Sequence, residues 1–491
     1  MHRIMAIDQG TSSSRAIVFD EYGTILGVGQ QPFDMIFPAD GWVEQDPEVL
    51  WQTTLAAGRE ALAAAATGAA ELSAIGITNQ RETTLVWDRD SGECLHNAIV
   101  WQDRRTAPFC GRLRDDGLSP MVAQETGLVI DPYFSATKLV WLLDNVPGLR
   151  ARALAGGLCF GTVDSFLIWR LTRGAVHATD ASNAARTMLF DIGRQDWSET
   201  LLEVLDVPSR LLPEVRDSAG DFGVTDAAWF GAPVPIRGVA GDQQAALIGQ
   251  GCFTPGMTKS TYGTGCFVMS NTGAQQLHSE HGLLTTVAYR LAGRTTYALE
   301  GSIFAAGVAV KWLRDQLGLI RSAADTEVAA RRTDGDSGGV YLVPAFTGLG
   351  APYWRPEARA LFTGMTLDSN RDQLITATLQ SVAYQSQELL AAMAADGAEV
   401  ARLRVDGGMV VNDWLCQFLA DVVGCPVERP QVTETTALGA AVLAQIGAGL
   451  LPDLAAAGGR WRLDREFQPQ MNPERRGLLL DGWRRAVARA L

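Results

Sequence analysis

The sequence lacks the features that mark several large classes of protein. It has no Cys-x-x-Cys pair, and its seven cysteines are an odd number. We therefore expect reduced, mostly buried thiols, with neither a disulfide framework nor a zinc site. It also has no surplus of positive charge, because the formal net charge is −14. That balance argues against a nucleic-acid partner or an anionic membrane surface, since both need basic patches.

Long apolar runs are missing as well. No stretch of about 20 apolar residues occurs, so we expect no membrane insertion. The chain opens on a strand-like run and not on a basic segment followed by an apolar one, so we expect no signal peptide and a cytoplasmic location. What is present is ordinary globular composition, with 47% hydrophobic and 20% charged residues. At 491 residues the chain is long enough for two to four domains.

A short polar stretch separates two apolar runs near the start of the chain. Residues 4–7 and 16–19 are rich in β-forming types, which predicts two strands joined by a tight hairpin. Its turn is almost all Gly, Thr and Ser, and could aim N–H groups and hydroxyls at an anion. Arg15 offers a bidentate cation to phosphate oxygens, and Asp8 is placed to hold a divalent cation. These residues suggest a binding site for the phosphates of a nucleoside triphosphate. The alternative is an ordinary Gly/Ser turn with a solvated arginine.

Polar and aromatic residues follow the next predicted strands. Residues 74–78 read as a buried strand, and Arg81 and Glu82 come directly after it. In open α/β sheets, ligands bind beyond the carboxyl ends of the strands. This pair could therefore bind a small polar molecule, or it could form a surface ion pair. Trp101 could belong to the core or cover a ligand, and Tyr133 could pack or offer its hydroxyl.

Asp242 lies between a predicted strand at 235–240 and an apolar helix at 245–249. Aspartate is a good helix N-cap, which is one explanation for its position. The other is that its carboxylate faces the cleft as a general base. The local sequence does not separate the two.

The chain then repeats its opening pattern. Strand-like residues 258–262 and 266–269 flank Gly-Thr-Gly at 263–265. A late strand at 403–405 leads into Asp-Gly-Gly, whose glycines could lie flat against a nucleotide or form a plain turn. Two hairpin-led halves predict a duplicated α/β unit with a cleft between the copies. We place the domains at 1–250 and 251–491.

In combination, these segments resemble the ATPase superfamily of actin, hexokinase and the sugar kinases. The matching motifs are Asp-x-Gly-Thr at 8–11, Gly-Asp-Gln at 241–243, Gly-Thr-Gly at 263–265 and Asp-Gly-Gly at 406–408. Two longer segments resemble the signatures of the FGGY carbohydrate kinases, at 134–145 and 348–354. Four segments are similar to the glycerol kinase branch of that family, at 79–83, 100–105, 127–134 and 240–246. The similarity covers residues 3–485.

The resemblance implies an α/β fold of two ribonuclease-H-like (actin-like ATPase) domains, with mixed sheets flanked by helices and the active site in the interdomain cleft. It implies transfer of the γ-phosphoryl group of ATP to glycerol. Mg²⁺ would be held by Asp8, and Asp242 would be the catalytic base. It further implies a homo-oligomer, either a dimer or a tetramer.

The resemblance also assigns the remaining contacts. Residues implied to bind the substrate are Arg81, Glu82, Tyr133, Asp242 and Gln243, with Trp101 and Phe267 covering its carbon face. Residues implied to meet the phosphates are Thr11, Ser12, Ser13 and Arg15. Those implied to hold the rest of the nucleotide are Thr264, Gly307, Lys311, Gly408 and Asn412. Lys311 stands where members of the family often carry Gln.

Two other functions stay open at this level. One is an FGGY kinase for another polyol or a ketose such as xylulose, which would share the ATP site. The set Arg81, Glu82, Trp101 and Tyr133 favours the glycerol type. The other is a non-catalytic ATP-driven switch, as in actin, against which the apparent substrate residues argue.

Overall fold

The computed structural model of the protein describes residues 2–491. Strands of the first half are β1 (Arg3–Gln9), β2 (Ser13–Asp20), β3 (Ile25–Pro32), β4 (Glu44–Gln45), β5 (Leu72–Asn79), β6 (Leu85–Asp88), β7 (Ala98–Ile99), β8 (Leu158–Gly161), β9 (Ala178–Asp180), β10 (Phe190–Asp191), β11 (Asp196–Trp197), β12 (Glu214–Arg216) and β13 (Ile236–Gly241). Its helices are α1 (Pro47–Ala64), α2 (Ala107–Asp115), α3 (Ser119–Thr126), α4 (Ser135–Asn145), α5 (Leu149–Leu154), α6 (Val163–Leu171), α7 (Ala181–Ala184), α8 (Glu199–Val204), α9 (Ala227–Phe230) and α10 (Asp242–Gly249).

The second half follows the same alternation of strands and helices. Its strands are β14 (Thr258–Tyr262), β15 (Cys266–Gly273), β16 (Leu284–Leu291), β17 (Arg294–Ile303), β18 (Tyr341–Val343), β19 (Leu361–Thr363), β20 (Leu403–Asp406), β21 (Val427–Pro430) and β22 (Leu463–Phe467). Its helices are α11 (Gly307–Asp315), α12 (Asp325–Arg332), α13 (Arg371–Ala395), α14 (Asp413–Val423), α15 (Thr435–Gly447), α16 (Leu454–Ala457) and α17 (Pro473–Ala490).

Two central sheets share one strand order over five strands. The first runs β13-β5-β1-β2-β3, and the matching part of the second runs β21-β20-β14-β15-β17, with β22 and β16 added at its two edges. Each is led by an antiparallel hairpin, β1–β2 or β14–β15, whose first strand pairs on its other side with a parallel strand, β5 or β20. A further parallel strand follows, β13 or β21. The predicted α/β fold of mixed sheets flanked by helices, with a hairpin leading each half, is confirmed.

The two halves exchange their packing helices. The apolar face of α15 packs on the first sheet, against Ile4, Ala6 and Ile17, whereas α10 packs on the second sheet, against Met269 and Ala298. The helices cross each other at two glycines. A Cβ atom on Gly439 would lie 1.8 Å from the carbonyl oxygen of Ala245, and one on Gly249 would lie 1.9 Å from that of Thr435. This crossing has no room for a methyl group, so both positions require glycine.

We expect Gly439→Ala to lower the thermal stability of the protein. The added methyl group would force α10 and α15 apart, and overpacking of this kind costs about 1–3 kcal/mol. Gly477→Ala is the matched control, because its Cβ would meet nothing within 4 Å in α17. There the same change should be neutral or stabilising, since alanine is the better helix former. Melting curves of the two variants would test this, and equal Tm shifts would contradict it.

Two expectations on composition can be compared with the structure. All seven cysteines are free, and five of them are buried. No helix within residues 2–491 is both long and apolar enough to cross a membrane.

Candidate active site

The candidate site forms where three parallel strands of the first sheet end. Strands β1, β5 and β13 run parallel, so their carboxyl ends lie at one edge of the sheet. Asp8 lies near the end of β1, Arg81 and Glu82 follow β5, and Asp242 follows β13. The topology thus brings together residues that are up to 234 positions apart in the sequence.

A buried network of charges fills this edge. Arg81 donates from Nη1 and Nη2 to the two carboxylate oxygens of Glu300, at 2.6 and 2.9 Å. Its Nε lies 3.0 Å from Oδ1 of Asp242. Arg186 donates from Nε to Oε1 of Glu82 at 2.7 Å and from Nη2 to Oε1 of Glu300 at 3.0 Å. The Arg81–Glu82 pair is therefore no surface ion pair, and the network joins the two halves of the chain.

The protonation of this network follows from its burial and its pairing. Burial alone would raise the pKa of Glu300, but the charges of Arg186 and Arg81 lower it to about 2. Burial would lower the pKa of Arg81, yet Glu300 and Glu82 raise it well above its ordinary value. Burial raises the pKa of Glu82, and Arg186 and Arg81 oppose this shift only in part. At neutral pH the guanidinium groups and Glu300 are therefore charged.

Three aromatic rings lie beside the charged network. The Trp101 ring is T-shaped against Tyr133 at 5.6 Å and against Phe267 at 6.3 Å between centroids. The Arg81 guanidinium lies 5.9 Å from the centroid of Phe267, and that of Arg186 lies 5.7 Å from the centroid of Tyr133. The site thus has a charged side and an apolar side. We call these three rings the aromatic wall.

Asp242 is the first residue of α10, and the N-cap position belongs to Gly241. Its Oδ1 accepts from the backbone N–H of Gln243 at 2.7 Å and forms an ion pair with Arg81, whose Nε lies 3.0 Å away. Its other oxygen, Oδ2, has no hydrogen-bond partner among the described residues, and 31% of the side chain is exposed. The carboxylate is thus oriented on one side and open to a ligand on the other. This geometry suits a base better than a cap.

The first hairpin carries the residues expected to meet phosphates. Asp8 and Arg15 are cross-strand partners in it. Arg15 donates from Nη1 to Glu434 at 2.5 Å, and its buried Nε has no partner within residues 2–491. The hydroxyl of Thr11 accepts from Nε1 of Trp101 at 3.0 Å, which joins the hairpin to the aromatic wall. Ser12 and Ser13 complete the turn, with Ser12 exposed.

The carboxylate of Asp8 suits a divalent cation. Burial and the nearby carboxylates of Asp242 and Glu434 raise its pKa to about 7, and Arg15 offsets only part of this. A cation at Asp8 would relieve that repulsion, and oxygen donors are the ligands that Mg²⁺ prefers. The described part of the chain holds no cluster of three or more His, Cys, Asp or Glu residues arranged for a metal. Mg²⁺ typically needs no such cage, because one or two carboxylates, substrate phosphates and water complete its shell.

A cavity of about 410 Å³ opens in the second half. It lies between the β14–β15 turn, α11, α12 and the start of α14. The residues predicted to hold the nucleoside all line it, namely Thr264, Gly307, Lys311, Gly408 and Asn412. Gly407, at φ +90°, makes the turn that brings Gly408 to the cavity, and a Cβ there would lie 2.4 Å from the Tyr262 carbonyl oxygen. Asn412 is also the N-cap of α14, accepting from the N–H of Leu415 at 2.9 Å.

Sequence reasoning missed several residues of the site. Arg186 and Glu300 complete the charged network, Glu434 pairs with Arg15, and Lys259 donates to the Gln243 side chain. Arg186 precedes an apolar run at 188–190, and Glu300 follows another at 297–299. A charge at the edge of an apolar run is therefore the signal that could have identified them, because a buried charge requires a partner.

The fold is that of a carbohydrate kinase, and comparison with known proteins shows the same class. Residues 3–249 match the N-terminal domain and residues 258–448 the C-terminal domain of the FGGY family of carbohydrate kinases. The chain belongs to this family, as its motifs predicted.

Three relatives are informative. The protein named glycerol kinase from Rhodospirillum centenum is 60% identical over 486 residues, which cover 99% of this chain and 97% of that protein. Glycerol kinase 1 of Pseudomonas aeruginosa is 58% identical over 488 residues, covering 99% of both. The crystal structure of Plasmodium falciparum glycerol kinase with ADP superposes with a TM-score of 0.92 at 34% identity, covering 100% of this chain and 98% of that one. The similarity to glycerol kinases is confirmed over the full length.

Proposed function

We propose that this protein transfers the γ-phosphoryl group of ATP to glycerol, giving sn-glycerol 3-phosphate and ADP. The observation that carries the proposal is the buried charged network facing the aromatic wall. Glycerol has three hydroxyl groups on one side of a short carbon chain, so it matches a site with a charged side and an apolar side. The relatives named glycerol kinase, at 58–60% identity, support the same substrate.

The substrate side of the mechanism uses the polar groups of this network. Arg81 would donate to a hydroxyl oxygen and Glu82 would accept from a hydroxyl, with Gln243 and Tyr133 completing the hydrogen bonds. Trp101 and Phe267 would cover the carbon atoms and exclude water. Asp242 would accept the proton of the attacking hydroxyl through its open Oδ2, while Arg81 keeps Oδ1 in place. Phosphoryl transfer depends mainly on such positioning and on charge stabilisation.

The nucleotide side uses both hairpins. The cavity lined by Thr264, Gly307, Lys311, Gly408 and Asn412 would take the nucleoside. The hydroxyls of Thr11, Ser12 and Ser13 and the unpaired Nε of Arg15 would meet the phosphates. Mg²⁺, when bound, would neutralise charge on the β- and γ-phosphates. Asp8 is the residue that would hold it, and the repulsion from Asp242 and Glu434 supports this role.

We further propose that residues 1–250 form an N-terminal domain with the phosphate hairpin and glycerol site, and residues 251–491 a C-terminal domain with the nucleotide site. All strands of the first central sheet precede residue 250, and all strands of the second follow it, which supports this division. Helix α15 nevertheless packs on the first sheet. The dimer or tetramer and the cytoplasmic location stay predictions.

A substrate panel tests the proposed function. With Mg·ATP, we expect kcat/KM for glycerol to exceed that for xylulose, ribulose and gluconate at least about a hundredfold, because a larger polyol would not fit the wall and network together. Coupled detection of ADP, with the product identified by NMR, is the measurement. Equal or better turnover of a five-carbon ketose would assign the protein to another branch of the family. ATP hydrolysis that no polyol accelerates would instead favour the non-catalytic switch.

A further inference from the structure

Lysine is rare among the basic residues of this chain. Of 41 lysine and arginine residues, only three are lysine, at positions 138, 259 and 311. All three lie around the proposed site. Lys138 donates to the backbone carbonyl of Tyr133 at 2.6 Å, Lys311 lines the nucleotide cavity, and Lys259 lies beside Gln243. The side chain of Lys259 is wholly buried, and the mechanism above gives it no role.

The ammonium of Lys259 contacts three elements that form the substrate site. Nζ donates to Oε1 of Gln243, to the hydroxyl of Thr261 at 3.0 Å and to the carbonyl oxygen of Phe267 at 3.4 Å. Three donors therefore meet three acceptors, which leaves the ammonium in one position. Gln243 belongs to the first half, in α10, whereas Thr261 and Phe267 belong to β14 and β15 of the second. Lys259 thus connects the two halves beside the substrate.

This contact determines which way the Gln243 amide points. An ammonium group has donors only, so the Gln243 atom that faces it must be the oxygen. The amide nitrogen, Nε2, is then the atom left for a ligand. Rotation of the amide by half a turn would place its NH₂ group against the ammonium, two donors facing each other in a buried site.

All three groups that face Nζ of Lys259 are hydrogen-bond acceptors, so the contacts define its role as a donor. Burial lowers the pKa of Lys259 from its ordinary value, and the carboxylates of Asp406 and Asp242 oppose that shift. A compact ammonium on a flexible stem can meet three converging acceptors, which the planar fork of arginine cannot.

We propose that Lys259 is a positioning residue that holds Gln243 as an obligate donor to one hydroxyl oxygen of the polyol. The inference rests on the proposed function and adds to it a cause of selectivity. Glu82 and Asp242 accept hydrogen bonds, whereas Gln243 can only donate. A ligand that lacks the corresponding hydroxyl leaves Nε2 of Gln243 buried and unpaired, and it is rejected for that reason.

A double-mutant cycle of Lys259→Met and Gln243→Ala tests this. Methionine keeps the length of the stem and removes the donor. We expect Lys259→Met to raise the glycerol KM roughly tenfold, the effect of losing one hydrogen bond, and to leave the ATP KM within about twofold of wild type. Because Lys259 acts through Gln243, the change should add little in the Gln243→Ala background. Additive effects, or an equal rise in the KM of ATP, would overturn the proposal.

Thr261→Val is the matched control. It removes another acceptor of the same ammonium and leaves the Gln243 contact in place. The glycerol KM should then stay within about twofold of wild type, since the amide keeps its orientation. A rise in the glycerol KM as large as that caused by Lys259→Met would show that any disturbance of the ammonium weakens glycerol binding. That result would overturn the specific role of Gln243.

Gln243→Glu provides a test that keeps Lys259 itself. The carboxylate still accepts from Lys259, but it replaces the Nε2 donor by an acceptor. Glycerol is compared with propane-1,2-diol and propane-1,3-diol, which each lack one hydroxyl. We expect the preference for glycerol over one of these diols to fall at least about tenfold. An unchanged preference over both would overturn the proposal. Absence of glycerol turnover by the wild-type protein would instead refute the proposed function.

Discussion

Asp242→Asn is expected to lower kcat for glycerol phosphorylation by about 10²–10⁴-fold, the usual contribution of a general base, and to leave the melting temperature almost unchanged. Asparagine has the same shape, but its amide cannot take the proton of the attacking hydroxyl at neutral pH. Steady-state kinetics with Mg·ATP and thermal denaturation of the same preparation are the measurements.

The structure explains why the fold should tolerate this change. The asparagine oxygen can keep both contacts of Oδ1, with the Gln243 N–H and with Nε of Arg81. Arg81 also retains its two bonds to Glu300. Glycerol should therefore still bind, several-fold more weakly at most. The change removes the open Oδ2, and that is the atom assigned to the proton.

Asp46→Asn is the matched control for this prediction. Asp46 is a true helix N-cap, which accepts from the N–H of Glu48 at 2.8 Å. Asparagine caps as well as aspartate, so both kcat and Tm should stay close to wild type. A folded Asp242→Asn protein with more than about a third of the wild-type kcat would remove Asp242 from the mechanism, because loss of a base costs at least ~10²-fold.

Glu300→Gln should have the largest effect on stability. Glu300 is wholly buried and accepts three hydrogen bonds from Arg81 and Arg186. A glutamine oxygen at the place of Oε1 can still accept from both guanidinium groups, but the NH₂ group then replaces Oε2 and faces Nη1 of Arg81, donor against donor. Breaking a buried ion pair at one partner costs about 3–5 kcal/mol, since a charge is left uncompensated. Arg81 would also lose its position, so glycerol binding should weaken.

The pH dependence of the stability lost in Glu300→Gln gives a second measurement. The pKa of Glu300 lies at about 2 in the folded protein against an ordinary value of 4.5. A lowered pKa means that its stabilisation is present above the ordinary value and is lost as the pH falls towards the folded value. The difference in urea midpoint between wild type and Glu300→Gln should therefore be constant near neutral pH. It should shrink between about pH 4.5 and 2.

Glu203→Gln is the control for charge removal as such. Glu203 is exposed in α8, and its side chain has no partner within residues 2–491. The urea midpoint of that variant should match wild type at every pH, because exposed substitutions usually change stability by less than about 0.5 kcal/mol. A Glu300→Gln protein as stable as Glu203→Gln at neutral pH would contradict the role assigned to the buried network.

The sequence alone determined the local elements and much of the expected site. Alternating apolar runs with Gly, Thr and Ser between them define the two hairpins, because strand and turn preferences act over a few residues. Asp46 is the N-cap of α1 and Pro47 its first residue, two residue types that favour these positions for the same local reason. The order of the motifs indicates the family. Asp8 lies near the end of one strand, and Arg81 and Asp242 follow two others, all with ends that must meet in a parallel arrangement.

Tertiary structure decided which buried charges form ion pairs and which helix packs on which sheet. Glu300 is 219 positions from Arg81, and Glu434 is 419 from Arg15, so neither partner could be read from local spacing. The orientation of Gln243 depends on Lys259, a strand residue that carries no motif. Nor does the sequence show that α10 and α15 exchange sheets, since either helix could cover the sheet nearest in sequence. Partners in buried ion pairs and helix crossings are set by the closure of the chain on itself, and that closure is not a local property.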